Sequence, residues 1–346
     1  YGCESLKKIK IPSSVKSIGD GAFNNCKLLE IIEIPYSIAT IGKFAFRNSG
    51  LREIKFSTPL NHEKKVGNSI GKYAFSGCKS LTNIIIPSSI ISIGDYCFED
   101  CYALKNVIIL SSGISIGKFA FAGCIQLSSI LTNSTISDIQ QQQLSSSFIY
   151  FIDKCAFTGC HSLKILKIPS NVTLIKSYAF TDNPNVLRCL KSINRDKQSD
   201  FSFSLEQIIL PSSINAIQSH SFDNCKYLKQ INIPSFITEI SNSAFRGCCL
   251  LTQLIIPSSV TLIDANAFLG CSSLIELKIP DSVTSIGACA FSGCKLLKQI
   301  SIPPSVTKYE ESLFEGCSSL KSFSIPYTVI SISSFVFSGC SSLFEL

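Results

Sequence analysis

The chain has no methionine, no tryptophan and only three histidines in 346 residues, and only 16% of its residues are charged. With His62, His161 and His220 as the whole histidine complement, most acid–base and zinc chemistry is hard to build. Apolar runs are short, four or five residues as in Val107–Leu110, against the roughly 18 that a membrane helix needs. The first residues, Tyr1-Gly2-Cys3-Glu4, lack the basic-then-apolar order of a secretory leader. A net charge of +7 is mild at this length and shows no dense basic patch, so nucleic acid is not an expected partner. A content of 45% apolar residues, with 24 phenylalanines, excludes a disordered chain.

What is present is a period. Phenylalanine falls at 23, 46, 75, 98, 121, 157, 180, 222, 245, 268, 291, 314 and 337, and nine of the twelve steps are 23 residues. The other three, 29, 36 and 42, are 23 plus extra residues within one unit, placed near 57–71, 133–148 and 182–204. One unit reads L-x-x-I-x-I-P-S-S-V-x-x-I-G-x-x-A-F-x-G-C-x-x, nearly unbroken from Leu274 to Leu296.

L-x-x-I-x-I predicts a short strand, with Leu277 and Ile279 on one face and Glu276 and Lys278 on the other. Proline in the next slot, as at Pro280, has no N–H for a ladder and ends pairing. V-x-x-I-G predicts a turn, with Gly287 supplying backbone angles that other residues resist. Ser, Thr or Asn two residues after the proline slot, as at Ser14, Ser259 and Asn171, predicts a ladder that satisfies turn backbone groups. A-F-x-G-C carries the large ring inward beside a small neighbour. A coil of 23 residues cannot bury its own apolar face but stacked coils can, which predicts a parallel solenoid with one continuous core.

These units resemble the BspA-like class of leucine-rich repeats over essentially the whole chain. The resemblance implies a β-rich, right-handed, curved array of about 13 coils with its parallel strands on the concave side. It also implies surface antigens or adhesins that bind host cells and matrix. Residues 1–346 are then a single leucine-rich-repeat solenoid, and the absence of a polar cap at either end predicts a fragment of a longer array.

Twelve of the seventeen cysteines share one slot, from Cys3 and Cys26 to Cys340. A disulfide framework, a metal ladder and buried free thiols compete for it. Adjacent coils point these side chains the same way, which suits neither a bridge nor a tetrahedral site, so free thiols acting as small hydrophobes are the expectation. A Cys160/His161 nucleophilic pair is disfavoured, because sequence neighbours rarely face each other. Glycines recur at unit period and read as turn residues, not a phosphate loop. No catalytic residue, metal ligand or cofactor is expected.

Recognition is expected on the outward strand positions. The third position gives a polar amide row that includes Asn83, Asn106, Gln230 and Gln253, and the fifth turns aliphatic at Ile85, Ile108 and Leu131 and again at Ile209 and Ile255. Contiguous exposed apolar residues suggest a contact surface. A protein partner is expected, a host surface or matrix protein, with carbohydrate as a further candidate, and membrane attachment only through a segment not present in the sequence. The insertions are the other contact candidates. Of two glycosylation sequons, Asn171 lies in the ladder slot, while Asn133 opens an insertion and is the candidate acceptor at a cell-surface or extracellular location. An intracellular interaction scaffold in the cytoplasm is the competing reading, favoured by the free thiols.

Overall fold

A computed structural model describes residues 2–57, 68–111, 113–132, 150–181 and 204–345. Most of the insertion expected at 57–71, all of 133–148, most of 182–204, and Asn133 and His62 lie outside the described residues. The chain divides into two compact units, Tyr1–Val172 and Thr173–Leu346. Each is a parallel β-solenoid of stacked coils, and no described residue is helical.

In the first unit, Ile31–Ile34, Glu53–Phe56, Asn83–Ile86, Asn106–Ile109 and Ser129–Thr132 form one parallel sheet. Its register matches equivalent repeat positions: Asn83 pairs with Asn106 and Ile85 with Ile108, and the next strand continues with Ser129 and Leu131. Alternation holds, since Ile84, Ile86, Val107 and Ile109 are buried while Asn83 and Ile85 face outward. In the second unit Gln207 pairs with Gln230 and Glu276–Lys278 with Gln299–Ser301.

V-x-x-I-G is more than a turn. Its x-I residues form a second parallel sheet, absent from the sequence reading, through Ser17–Ile18, Thr40–Ile41, Asn68–Ile70, Ile90–Ile93 and Ser115–Ile116. Strands of two to four residues leave little periodicity to detect. Because Asn68–Ile70 belongs to this sheet, the first insertion ends before Asn68. The proline slot works as read, and each of its ten prolines also closes a turn by accepting from the N–H three residues on, as in Val283 to Pro280.

The role expected for Gly287 is corrected. It does not adopt a left-handed conformation; a β-carbon there would fall on the backbone nitrogen of Ala265 in the preceding coil. Close approach between coils requires the glycine. Left-handed backbone occurs instead at the G of G-C, filled by Gly123 (φ 73°), Asn48 (φ 54°) or Asp100 (φ 58°), and two residues before the phenylalanine, as at Phe44 (φ 57°) and Tyr73 (φ 57°).

Around A-F-x-G-C, hydrogen bonds alternate. Phe98 N–H donates to Ala120 O of the next coil, while Cys101 N–H donates back to Phe98 O. The rings stack coil upon coil, with centroids 5.1–5.5 Å apart from Phe23 to Phe157. From Phe180 to Phe337 the spacing is 5.2–5.8 Å. Alanine precedes nine of the thirteen rings and is buried within the stack, as at Ala74, Ala120 and Ala267, but exposed at Ala22 in the first coil.

Candidate functional site

The outward face of the first sheet is set by register. In the first unit Asn106 Nδ2 donates to Asn83 Oδ1 at 2.7 Å, and Asn83 Nδ2 donates to Thr82 Oγ1 at 3.0 Å. This amide ladder runs beside Ile85 (51% exposed), half-buried Ile108 and Leu131 (57% exposed). Leu110, at the end of its strand, adds a further exposed apolar group. The three aliphatic side chains are therefore contiguous.

Ile209 (39% exposed) and Ile255 (85% exposed) belong to the second unit. Asn232 occupies the equivalent position in the coil between them. Gln230 and Gln253 are exposed, and Gln207 Nε2 donates to Gln230 Oε1 at 3.4 Å. Asn232 instead turns onto its own sheet, donating to Leu210 O at 2.9 Å and accepting from Leu210 N–H at 3.0 Å. The second unit thus presents amides with separate apolar points.

A second surface feature escaped the sequence reading. The left-handed position before A-F carries Phe44, Tyr73, Tyr96 and Phe119, whose rings stack at 5.1, 4.7 and 5.0 Å. Arg47 lies 5.6 and 5.5 Å from the Phe44 and Tyr73 ring centroids, and Lys72 5.4 and 5.5 Å from those of Tyr73 and Tyr96. Four aromatics in phase two residues before the phenylalanine slot were the signal. Both faces of Tyr73 and Tyr96 are occupied by neighbouring rings, so the stack reads as a buttress along the flank of the unit.

The cysteine slot is chemically closed. Cys78, Cys101, Cys124 and Cys160 Sγ donate to the carbonyls of Phe46, Phe75, Phe98 and Phe121 in the preceding coil at 3.1–3.3 Å. The second unit repeats this from Cys225 to Phe180 O at 3.0 Å through Cys340 to Phe314 O at 3.2 Å. The sixteen cysteines among the described residues are thiols, not disulfides. Burial pushes the Cys78 thiol up to about 12, against the lowering effect of its Ser49 partner, and raises Cys101 and Cys160 as well. Cys160 is thus engaged and held as a thiol, which removes the basis for a Cys160/His161 pair. His220 stacks on Tyr178 at 4.6 Å, with Nδ1 3.5 Å from Asp223 Oδ2. Among the described residues no three His, Cys, Asp or Glu side chains are grouped to hold a metal ion.

The repeat architecture and its slots match a known family. The model of the BspA type leucine rich repeat region, in six copies, matches residues 1–67, 62–151, 145–250, 191–318 and 238–346. The chain belongs to the BspA-type leucine-rich repeat family. A leucine-rich repeat protein from Bacteroides ovatus is similar at 29% identity and a TM-score of 0.62, over 95% of this chain and 81% of that one. A leucine rich cell surface protein from Faecalibacterium prausnitzii matches at 26% identity and a TM-score of 0.47, over 96% of this chain and 82% of that one. The pneumococcal vaccine antigen PcpA matches at 20% identity and a TM-score of 0.45, over 92% and 80%. No curated protein matches the chain.

Proposed function

We propose that the chain is a non-enzymatic protein-binding module of a cell-surface antigen or adhesin. It recognises a host or matrix protein through the outward face of the first sheet and the inserted loops. The observation that carries the binding reading is the row Ile85–Ile108–Leu131, contiguous and outward on strands that pair within the sheet. Such a row has no role in the core beneath it, and its exposure to water is unfavourable unless a partner covers it. The surface setting is supported by the family, and the thiols do not oppose it. Cys78, Cys101 and Cys160, buried, hydrogen-bonded and raised by burial, present little thiolate to an oxidising exterior.

The test is capture from a host-cell surface extract by the wild-type chain, by Ile108→Lys/Ile255→Lys, and by a chain lacking 58–67, 133–148 and 182–203. The double substitution is expected to weaken capture while leaving the melting curve nearly unchanged. Undiminished capture would remove the face from the proposal, and a large loss of stability would show these side chains to be core.

A further inference from the structure

The outward face of the first sheet changes character along the first unit. Before the apolar row, Glu30, Glu33 and Glu53 occupy its positions, and Arg52, Ser57 and Lys55 meet them at 3.9, 2.9 and 3.5 Å. From Thr82 to Lys167 the twelve second-, third- and fifth-position residues include Lys105, Lys164 and Lys167 and no carboxylate. On the other side, the Glu53–Asn83 register sets Lys55 beside Ile85 two residues on. An apolar strip is therefore bordered by Lys105, Lys164 and Lys167 without a carboxylate, while on the preceding coil Lys55 is paired with Glu53. Its complement is apolar with negative flanks.

The backbone of the partner follows from spacing and pairing. Adjacent coils repeat at about 4.8 Å, so the three aliphatic side chains span about 10 Å across the strands. Positions i, i+4 and i+7 of a helix span about 10.5 Å, whereas alternate residues of a strand span about 13 Å. Strand addition is closed at Ile85 and Ile108, because Asn83–Ile86 and Asn106–Ile109 are paired on both sides.

Resting on the binding reading above, we infer that this strip docks an amphipathic helix of a partner protein, with its apolar stripe at i, i+4 and i+7 and carboxylates beside it. Lys105 flanks the helix along its length, and Lys55 stands at the end of the row beside Ile85. Lys164 and Lys167 stand at one end of the row.

The experiment is selection of a displayed library of random peptides, about 15 residues long and so able to form several helical turns, on the full chain. Counter-selection uses Ile85→Lys/Leu131→Lys, and Ile85→Ser/Leu131→Ser replaces it should the lysine variant melt early. The enriched pool is expected to show apolar residues at i, i+4 and i+7 with an excess of Asp and Glu. Peptides made from it are expected to bind the wild type roughly tenfold more tightly than the variant, a loss characteristic of central contact residues. That binding is expected to weaken with added salt and to be lost when proline is placed mid-peptide. An enriched pool of period two, a pool without acidic excess, or no enrichment over the variant overturns the inference. Capture from extract that persists alongside such a pool removes the acidic helix and leaves the binding module standing; loss of both removes both.

Discussion

At the scale of single residues, the cysteine slot shows two requirements met by one side chain. The position is dry, which favours a small apolar group, yet it faces the carbonyl of the preceding coil's phenylalanine. A thiol fills the space and still donates. Serine stands in this slot at Ser49, where its Oγ lies 3.3 Å from Cys78 Sγ. Cys271→Ala deletes the donor to Phe245 O and leaves a small void. It is expected to cost about 1–2 kcal/mol in chemical unfolding.

The ring beside it carries more. Phe268 is fully buried between Phe245 and Phe291. Phe268→Ala is expected to cost about 3–5 kcal/mol, and a cost under about 1 kcal/mol would show the ring not to be interior.

Asp100 titrates differently from an ordinary carboxylate. Burial, and then the neighbouring Glu99, raise it to about 6, against the lowering effects of Tyr102 and Lys79. An acid raised on folding holds its proton more tightly in the folded state, so stability falls as pH rises from about 4 to about 6. Asn25, Asn48 and Asn224 fill the same left-handed slot without a charge. Asp100→Asn is therefore expected to raise the melting temperature at pH 7.5 and to leave it unchanged at pH 4, measured by calorimetry at both.

At the scale of the element, the coil uses glycine for two separate reasons, and substitution separates them. Gly287→Ala drives a β-carbon into the backbone of Ala265 and is expected to cost about 1–3 kcal/mol, as overpacking does. At Gly270 (φ 74°) a β-carbon would meet Gly247 Cα at an ordinary 3.8 Å, so only the angle matters. Gly270→Asn is expected to stay within about 1 kcal/mol, because Asn tolerates left-handed backbone. Reversal of that order in denaturant melts would show the two slots to be interchanged.

At the scale of the whole molecule, repetition turns local choices into ladders. Rings stack on rings, and thiols, turn hydroxyls and backbone amides donate to carbonyls one coil away. Ser37, Ser259 and Ser282 donate to the carbonyls of Val15, Ile237 and Val260 at 2.6 Å, which is the ladder expected from the slot after proline. The same burial predicts a global readout. Of the seventeen thiols in the chain, the twelve buried among the described residues are expected to resist a thiol reagent in the native protein at pH 8 and to react on unfolding. Rapid labelling of Cys124 or Cys271 by mass spectrometry would show the slot to be open.

The spacing of phenylalanine, proline and the L-x-x-I-x-I pattern determined by itself the parallel coil, its buried face and the outward positions of Ile85, Ile108 and Leu131, because a side-chain period of two admits only one inside. Tertiary structure decided what depends on the neighbouring coil. The short strands of the second sheet exist only when paired, Gly287 is required by a backbone that is distant in sequence, and the thiols acquire acceptors only on stacking. It also decided which outward aliphatics are neighbours. Register joins Ile85, Ile108 and Leu131 in the first unit, while Ile209 and Ile255 stand apart in the second, a difference that a shared repeat position conceals.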